Sequence, residues 1–377
     1  MSRTLEILER LIAFPTVSAD SNLDLIEYVQ NLLQTAGFTV TRIPSPCGTK
    51  AGLFARTGPG DGGVCLSAHT DVVPVEGQNW SCPPFALTRR ADRLLGRGTT
   101  DMKGFLASAL ALAERAQHAS LTSPLSLSIS YDEEIGCIGI RDMMPKLAPL
   151  LGKPRMVIVG EPTSMQVAIG HKGKVALRID CHGQSGHSAL APNFVNAIHV
   201  AAEFVDEMRS LQALLADGSI DAAYDIPYST VHVGRIIGGK ALNIVPDLTQ
   251  IEMEFRHLTD LPAHRIHAQI QRSAEKVSEA FGGLAEVQVT ETNAYYGLST
   301  APDSPAVGQA LSLAASDQVT KVAFGTEAGF FAELGLDTVV VGPGDMAADG
   351  HKPDEGLAFA ELQACNAMMN RVLSDLS

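Results

Sequence analysis

The chain has 377 residues, 45% of them hydrophobic, which is enough for two domains with sizeable cores. Its formal net charge of −14 argues against a nucleic-acid-binding surface, because phosphate binding needs clustered Lys and Arg. That charge suits a cationic or zwitterionic partner, although an acidic excess more often serves solubility alone.

The cysteine pattern and the hydropathy of the sequence indicate in which cellular compartment the protein is expected. The six cysteines are scattered without a C-x-x-C pair: Cys47, Cys65, Cys82, Cys137, Cys181 and Cys365. A disulfide framework is not expected in a chain of this size, so we expect reduced, buried thiols in a cytoplasmic protein. The opening residues follow an amphipathic helix pattern rather than that of a signal peptide. No apolar run approaches the roughly 18 residues that cross a bilayer, so no membrane partner is expected.

The first half of the chain alternates helical and strand-like patterns. A helix face formed by Leu25, Ile26, Val29, Leu32, Leu33 and Ala36 ends at Gly37. Strand-like runs follow at Phe38–Ile43, Val64–Ala68, Leu125–Tyr131 and Met156–Val159, with a helix of small residues near Phe105–Gln117. This alternation indicates a layered α/β domain.

The pattern changes after Gly170. Strand-like runs at Lys174–Cys181, Ser229–Ile237, Thr249–Phe255 and Ala285–Thr290 combine with helical patterns at Asn196–Leu215 and Ala263–Phe281. The resulting β-α-β-β-α-β order is that of a ferredoxin-like α+β fold. Patterns of the first type resume near Pro305. We therefore predict a catalytic domain in two parts, residues 1–172 and 292–377, interrupted by an α+β insertion at residues 173–291.

Five short stretches place ionisable side chains just after predicted strands. They are His69-Thr70-Asp71, GTTDMKG with Asp101, DEE with Glu133 and Glu134, VGEPT with Glu161, and DGHKPDE with His351. Loops at the carboxyl ends of strands are where open α/β sheets usually hold their sites. Histidines combined with carboxylates suit a Zn²⁺-type site. The sequence spacing differs from the local H-E-x-x-H pattern, so spacing alone does not decide the question.

Each stretch also has a structural explanation when it is taken singly. His69 could be a hydrogen-bonded core histidine, Asp101 could cap a helix, and Glu161 before Pro162 could be a solvated turn. Glu133 and Glu134 could be exposed loop charges.

The stretches SAHTDVVPV, GRGTTDMKG, SYDEEIGCIG, VGEPT and GHKPDE, in this order, resemble the signature segments of the co-catalytic zinc amidohydrolases. This family includes acetylornithine deacetylase, succinyl-diaminopimelate desuccinylase, aminoacylase and glutamate carboxypeptidase. The resemblance covers nearly the whole chain. It implies a zinc-exopeptidase-like α/β/α catalytic domain with an inserted ferredoxin-like dimerisation domain, and hence a homodimer.

The resemblance also implies a role for each site residue. His69 and Glu161 would bind one Zn²⁺, Glu134 and His351 a second, and Asp101 would bridge the two ions. Co²⁺ could substitute. Asp71 would hydrogen-bond the His69 imidazole and fix its tautomer. Glu133 would serve as the general base that takes a proton from water and passes it to the leaving amine.

Further residues are assigned by the same resemblance. His187 in GQSGHSA would stabilise the oxyanion, and Asn243 in ALNIVPD and Arg256 in MEFRH would hold the substrate carboxylate. A capping His187, a turn Asn243 and a surface Arg256 are the structural alternatives. Glu327 in GTEAGFF would lie near the substrate. That stretch and the chain length most resemble the acetylornithine deacetylase branch, which implies removal of the acetyl group from N²-acetylornithine in arginine biosynthesis.

Two alternatives stay open at this stage. Another N-acyl amino acid hydrolase of the family, namely a desuccinylase, an aminoacylase or a dipeptidase, would use the same chemistry on a different substrate. A binding or regulatory homologue could instead keep the fold without activity. Loss of Glu133 or of a ligand position would have signalled such a homologue, and all of these residues are present.

Overall fold

The structure of the chain is a computed structural model that describes residues 2–18 and 20–377. It divides into two compact units. Unit 1 comprises the described residues up to Gly170 together with Leu298–Val322 and Thr326–Ser377, and unit 2 comprises His171–Gly297 and Ala323–Gly325. The insertion of unit 2 into the chain of unit 1 follows from this division.

The helices and strands are numbered here in chain order. The helices are α1 Arg3–Ile12, α2 Leu23–Thr35, α3 Gly104–Ala116, α4 Ile138–Leu151, α5 Ala197–Ala216, α6 Ala263–Ala280, α7 Pro305–Ala314, α8 Ala328–Glu333, α9 Met346–Asp349 and α10 Phe359–Leu376. The strands are β1 Thr39–Pro44, β2 Ala51–Thr57, β3 Val64–His69, β4 Thr88–Arg90, β5 Arg93–Leu95, β6 Leu125–Ser130, β7 Met156–Val159, β8 Val167–His171, β9 Gly173–His182, β10 Gly186–His187, β11 Thr230–Gly238, β12 Ile244–Val245, β13 Leu248–His257, β14 Glu286–Tyr295, β15 Leu298–Ser299, β16 Val319–Val322, β17 Thr338–Val340 and β18 Gly356–Ala358.

The main sheet of unit 1 has the strand order β1-β2-β6-β3-β7-β17-β8-β15, with β16 pairing to β8. Its centre is parallel: β3 pairs with both β6 and β7, and β7 pairs with β17. Parallel strands are buried on both faces, and the apolar run Met156-Val-Ile-Val159 is accordingly buried along its whole length. The carboxyl ends of β3, β6, β7 and β17 therefore meet at one edge of the sheet.

Helices cover the main sheet and close the core of unit 1. Helix α3 is made largely of Ala and Leu, and its central residues are buried, which allows it to lie close to the strands. Helix α2 ends at Thr35, and Gly37, two residues later, has a φ of +81°, the left-handed conformation that glycine adopts at little cost. The backbone N–H groups of Gly37 and Phe38 donate to the carbonyls of Gln34 and Leu33, as in a glycine-terminated helix. The prediction that Gly37 stops this helix is confirmed.

Unit 2 is a four-stranded antiparallel sheet in the order β11-β13-β9-β14, with α5 and α6 packed on it. Its core holds the alternate residues Val175, Leu177 and Ile179 of β9 together with Phe204 of α5. The chain order β9-α5-β11-β13-α6-β14 is the predicted ferredoxin-like order. The fold class predicted for the whole chain, an α/β domain with an α+β insertion, is confirmed.

One strand extends beyond its predicted end. The alternating pattern predicted a strand that stops at Thr290, whereas β14 continues to Tyr295. A register shift between Glu291 and Asn293 marks a β-bulge at this point. A bulge inserts an extra residue and interrupts the period-two pattern, which is why the sequence gives no sign of the continuation. Among the described residues, no helix has the length and apolarity that would let it cross a membrane.

Candidate active site

The five ligand stretches converge because of the sheet topology of unit 1. His69 is the last residue of β3, Glu133 and Glu134 follow β6, and Glu161 follows β7. These three strands are adjacent and parallel, so their following loops emerge side by side. Asp101 lies in the segment Thr99–Lys103 that precedes α3, and its own backbone, with φ −118° and ψ 96°, is not helical.

One group of side chains is centred on the His69 imidazole. Its Nε2 lies 3.0 Å from Asp101 Oδ1 and 3.6 Å from Glu161 Oε1. All three residues are nearly inaccessible to solvent, with Glu161 only 2% exposed. The alternative of a solvated turn at Glu161 is therefore wrong, and the side chains converge as a ligand set requires.

A second group is centred on His351. Its Nε2 lies 2.9 Å from Glu134 Oε2 and 3.3 Å from Asp101 Oδ2. The two oxygens of Asp101 thus face different histidines, which is the arrangement of a carboxylate that could bridge two ions. The His351 side chain remains 51% exposed, so this side of the group is open to solvent.

The residues present fit divalent cations. Ligand atoms of His69, Asp101 and Glu134 lie within 4.8 Å of one another, and so do those of His69, Glu133 and Glu161. Glu161 Oε1 is buried without a hydrogen-bond partner, which costs free energy unless a cation approaches it. Imidazole nitrogens with carboxylate oxygens form a donor set that suits Zn²⁺. Proximity alone does not separate Glu133 from the ligands.

The site is electrostatically crowded. Burial and the charge of Asp101 raise the pKa of Glu134 to about 7. Burial, again with Asp101, raises the pKa of Glu161 well above its ordinary value. Hydrogen bonds to Asp101 and Glu134 raise the pKa of His351 to about 10. Burial alone would lower the pKa of His69, but Glu161 and Asp101 outweigh it and raise that pKa well above its ordinary value. A bound cation would therefore stabilise the ionised forms of these carboxylates.

Asp71 connects several parts of the site. The Nδ1 atom of His69 lies 3.0 Å from the backbone oxygen of Asp71 and 3.4 Å from its Oδ1. The Asp71 carboxylate also accepts from the backbone N–H groups of Glu133, at 3.1 Å, and Glu134, at 3.2 Å. Ser18 Oγ donates to it at 2.8 Å. Asp71 therefore fixes both the imidazole and the loop that carries the two glutamates, and the second role was not predicted from the sequence.

Glu133 and Glu134 have different surroundings. Glu134 faces His351, whereas Glu133 Oε1 accepts a hydrogen bond from the Cys137 thiol at 3.4 Å. Burial raises the pKa of Glu133 well above its ordinary value, against the opposing charge of His69. Nearest neighbours in the chain thus hold their carboxylates in distinct environments.

Glu327 lies just before α8 and is 1% exposed. Its carboxylate accepts from Ser67 Oγ at 3.3 Å and from Ser130 Oγ. Burial raises its pKa to about 7. The serines lie near the carboxyl ends of β3 and β6, so Glu327 is held next to the strand ends that precede His69 and Glu133. Its substrate-binding role stays a prediction.

The remaining sequence-predicted residues lie in unit 2 and are engaged in local structure. His187 Nδ1 accepts from the backbone N–H of Ala189 at 3.0 Å, as a capping residue does. Asn243 is exposed in the turn before β12. Arg256 donates to Glu254 Oε1 at 3.0 Å and to the carbonyl of Ala323 at 3.3 Å. Their proposed catalytic and binding roles stay predictions.

Sequence reasoning missed Arg97, Gln78 and Glu355, which surround the loops of Asp101 and His351. Arg97 and Glu355 form an ion pair at 2.7 Å with both side chains 1% exposed. Arg97 lies in GRGTTDMKG and Glu355 in GHKPDE, two of the stretches already singled out. The available signal in the sequence was a charged residue of opposite sign in each of these two stretches, Arg97 near Asp101 and Glu355 near His351.

The chain matches the model of Peptidase family M20/M25/M40 over residues 65–375. It belongs to this family. Two curated relatives, both acetylornithine deacetylases, are similar over nearly their full lengths. The protein from Proteus mirabilis is 32% identical, covering 98% of this chain and 96% of the relative. The protein from Klebsiella pneumoniae is 33% identical, with the same coverage of 98% and 96%.

The fold is also found among solved structures. An M20 family metallo-carboxypeptidase from Sulfolobus solfataricus matches with a TM-score of 0.82 at 20% identity, covering 99% of each chain. The resemblance predicted from the signature segments is thus confirmed at the level of the family. This M20-family chain is a metallohydrolase of amide bonds.

Proposed function

We propose that this M20-family protein is a zinc-dependent deacetylase that hydrolyses N²-acetyl-L-ornithine to L-ornithine and acetate. The observation that carries the proposal is the convergence of His69, Asp101 and Glu161 with Glu134 and His351 at the carboxyl edge of a parallel sheet. The substrate assignment is supported by curated acetylornithine deacetylases that are 32–33% identical to this chain over nearly the whole length.

The proposed cofactor is a pair of Zn²⁺ ions per subunit, with Co²⁺ as a substitute. His69 and Glu161 would hold one ion, Glu134 and His351 the other, and the two oxygens of Asp101 would be shared. When bound, the ions would polarise the amide carbonyl and make the attacking water more acidic.

Glu133 is the proposed general base and acid. It would accept a proton from the attacking water and return it to the leaving amine as the amide bond breaks. The Cys137 thiol donates to its Oε1 and restricts the carboxylate orientation. The surroundings support the proposed division of labour: Glu134 faces His351, and Glu133 has no histidine within hydrogen-bond reach among the contacts described for it.

The proposed substrate contacts rest on family resemblance. His187 would stabilise the developing oxyanion, and Asn243 with Arg256 would hold the α-carboxylate. An arginine can bind a carboxylate through two parallel hydrogen bonds. The negative charge of Glu327 would favour a cationic side chain such as that of ornithine. Asp71 would act through the His69 imidazole that it orients.

We also propose that the protein is a cytoplasmic homodimer of arginine biosynthesis. Strand β11 is at the edge of the described sheet of unit 2, and an edge strand presents unpaired backbone groups. Ile236 and Ile237 on this strand are 50% and 47% exposed. A two-fold axis beside β11 would bury them against the same residues of the second copy.

Analytical ultracentrifugation tests the proposed homodimer. The wild type should sediment as a dimer, and Ile236→Lys should shift the equilibrium towards monomer. A wild-type monomer would refute the proposed dimer.

The test of the reaction is the ratio of kcat/KM for N²-acetylornithine over N-succinyl-diaminopimelate, measured on protein loaded with Zn²⁺. A succinyl group brings a further carboxylate into a site rich in carboxylates. An uncompensated buried charge costs several kcal/mol, so we expect a ratio of about 100 or more. A ratio below one would refute the substrate assignment. An N-acetyl amino acid with an apolar side chain, tested in the same assay, measures the contribution of the substrate ammonium.

A further inference from the structure

A buried ion pair lies beside the ligand loops of unit 1. Arg97 Nη1 is 2.7 Å from Glu355 Oε2, and each side chain is 1% exposed. Burying two charges costs several kcal/mol per ion, and the attraction between them often does no more than offset that cost. A pair of this kind therefore suggests a positional task beyond stability.

Glu355 binds the backbone of the Asp101 loop. Its Oε1 accepts from the N–H groups of Thr100, at 2.9 Å, and Asp101, at 3.0 Å. Its Oε2 accepts from the N–H of Gly98 at 3.0 Å and from Arg97. Both oxygens are thus fully used as acceptors, which is the pattern of an ionised carboxylate. Burial raises the pKa of Glu355, while these donors and Arg97 oppose the shift.

Arg97 connects this loop with the backbone around His351. Its Nη1 donates to the carbonyl of Lys352 at 3.3 Å, and its Nη2 donates to Gln78 Oε1 at 2.6 Å. Gln78 Nε2 in turn donates to the carbonyl of His351 at 2.9 Å. The backbone of His351 has a φ of +60°, which is an uncommon conformation for a non-glycine residue. The hydrogen bonds on its carbonyl and on that of Lys352 hold this backbone in place.

The same group contains the single tryptophan of the chain. Trp80 Nε1 donates to Gln78 Oε1 at 3.0 Å, and the Arg97 guanidinium lies 5.0 Å from the ring centroid of Trp80. Both contacts restrict the Arg97 side chain. Because no other tryptophan is present, intrinsic fluorescence excited at the indole band reports on this group alone.

We propose that Arg97, Glu355, Gln78 and Trp80 form a positioning network that holds the bridging ligand Asp101 and the ligand His351 at a fixed separation. The network touches the backbones of the two ligands and not their metal-binding atoms, so its members are positioning residues. This inference rests on the proposed roles of Asp101 and His351 as metal ligands. Metal affinity, rather than the proton transfers, is the property that the network controls.

The principal variant is Glu355→Gln. The amide has the same shape, but one of its two ends is a donor and would face backbone N–H groups or Arg97. The loop would then move away from the amide and carry Asp101 with it. Outer contacts of metal ligands are typically worth about 10–100-fold in metal affinity, so we expect a loss of that size for the more weakly held ion.

The experiment titrates metal-free protein with Co²⁺. The number of bound equivalents is measured by elemental analysis after dialysis, the affinities by calorimetry, and the Trp80 emission in the same titration. In the wild type we expect Trp80 emission to change as metal binds, since ordering His351 also orders Gln78. In Glu355→Gln the affinity should fall and the emission change should shift to correspondingly higher Co²⁺ concentrations.

The matched control is Glu114→Gln. Glu114 also accepts two hydrogen bonds from one arginine, Arg3, at 2.8 and 2.7 Å, and this pair is exposed on α1 and α3. We expect wild-type metal affinity in this variant. Should Glu355→Gln fail to fold, Gln78→Met provides the second test, because Gln78 is only half-buried and its loss leaves the ion pair intact. It should weaken metal binding through His351 while the melting temperature of the metal-free protein stays unchanged.

Two results would overturn the inference. The first is Glu355→Gln or Gln78→Met protein that folds and binds two equivalents with wild-type affinities. The second is a fall in the melting temperature of the metal-free variants with unchanged metal binding, which is what a purely structural pair would give. Neither readout uses a substrate. If the protein binds metal as expected but does not cleave N²-acetylornithine, only the proposed function fails.

Discussion

Charged side chains are arranged differently in the two units. In unit 1, Asp101, Glu134 and Glu161 lie buried together, and one oxygen of Glu161 has no hydrogen-bond partner. In unit 2, charged side chains on the sheet form local pairs of opposite sign, and the pair of Arg235 and Glu252, 3.1 Å apart, has side chains that are 61% and 59% exposed.

This difference separates charges that serve folding from those that serve chemistry. Exposed pairs contribute about 0–1 kcal/mol each and could be placed almost anywhere on a surface. Buried carboxylates near one another cost free energy, so a fold retains them where a cation or a reaction needs them. The contrast agrees with the proposed metal site in unit 1.

Two buried histidines show the same contrast. His69 in unit 1 is surrounded by carboxylates that raise its pKa well above its ordinary value. Burial lowers the pKa of His171 in unit 2 to about 4, with a further contribution from the charge of Arg256. One imidazole is thus in an anionic environment and the other is held neutral, although both are fully buried.

Removal of metal is the strongest test of the difference between the buried carboxylates of unit 1 and the paired charges of unit 2. Exhaustive chelation should abolish turnover, and Zn²⁺ or Co²⁺ should restore it, because the carboxylate cluster needs cations to act on an amide. The circular dichroism of the metal-free protein should stay close to that of the native protein, since a large cluster of apolar side chains forms the core of unit 1. Full activity in a verified metal-free sample would contradict the two-ion assignment.

Substitutions of the neighbouring residues Glu133 and Glu134 test whether these two carboxylates have different roles within the site. Glu133→Gln should retain bound metal and lose about 10²–10⁴-fold in kcat, because a positioned acid–base group is removed without a change of shape. Glu134→Gln should instead lower the metal content measured after dialysis. Equal metal content and equal rates in the two variants would show that the proposed division of labour is wrong.

The histidine of unit 2 predicts a pH dependence of stability. The unfolded chain protonates His171 near pH 6.5 and the folded chain only near pH 4, so the unfolded state binds more protons between these values. Stability therefore falls as the pH drops from 6.5 to 4, by up to about 3 kcal/mol from this residue.

Denaturant unfolding at several pH values measures this effect. His171→Gln should show a smaller loss of unfolding free energy between pH 6.5 and 4 than the wild type. Parallel curves for the two proteins would remove His171 as the cause.

Two glycine substitutions test the packing described for unit 1, one at Gly160 beside the candidate site and one at Gly308 in α7. A Cβ atom on Gly160, next to Glu161, would come within 2.0 Å of the Phe105 ring, so Gly160→Ala should cost about 1–3 kcal/mol and weaken metal binding. Gly308 lies inside α7. Apart from its chain neighbours and the backbone of its own helix, no atom of the described residues lies within 4 Å of the position that a Cβ would take there, so Gly308→Ala should stabilise the protein by about 0.5–1 kcal/mol. Thermal melts with and without Zn²⁺ measure both. A destabilised Gly308→Ala or a neutral Gly160→Ala would contradict the packing described.

The main features of the fold, and the placement of ionisable residues just after strands, follow from local sequence patterns. The strand-like runs that became β3, β6 and β7 predict a layered α/β domain, and the ionisable residues that follow them were expected at its strand ends. The structure adds that these three strands are adjacent and parallel, which brings the residues after them to one edge of the sheet. The contact between Arg97 and Glu355 joins residues 258 positions apart and leaves no local pattern. The bulge in β14 and the hydrogen bonds from Glu133 and Glu134 to Asp71 likewise depend on tertiary structure. These features become visible only in the folded chain.

Asp71 has a consequence for how such an enzyme can change. Its two carboxylate oxygens accept hydrogen bonds from two successive backbone amides, those of Glu133 and Glu134. These hydrogen bonds fix which two residues of the loop lie beside Asp71. An insertion of one residue between Tyr131 and Glu133 would move Glu133 to the place that Glu134 now occupies, and a deletion would move Glu134 to the place of Glu133. Under the proposed roles, either change removes the base or a ligand, so we expect it to inactivate the protein in a single step. New substrate preferences must therefore arise by substitutions or length changes elsewhere. In directed evolution, we expect libraries that vary the length of this loop to yield no active clones.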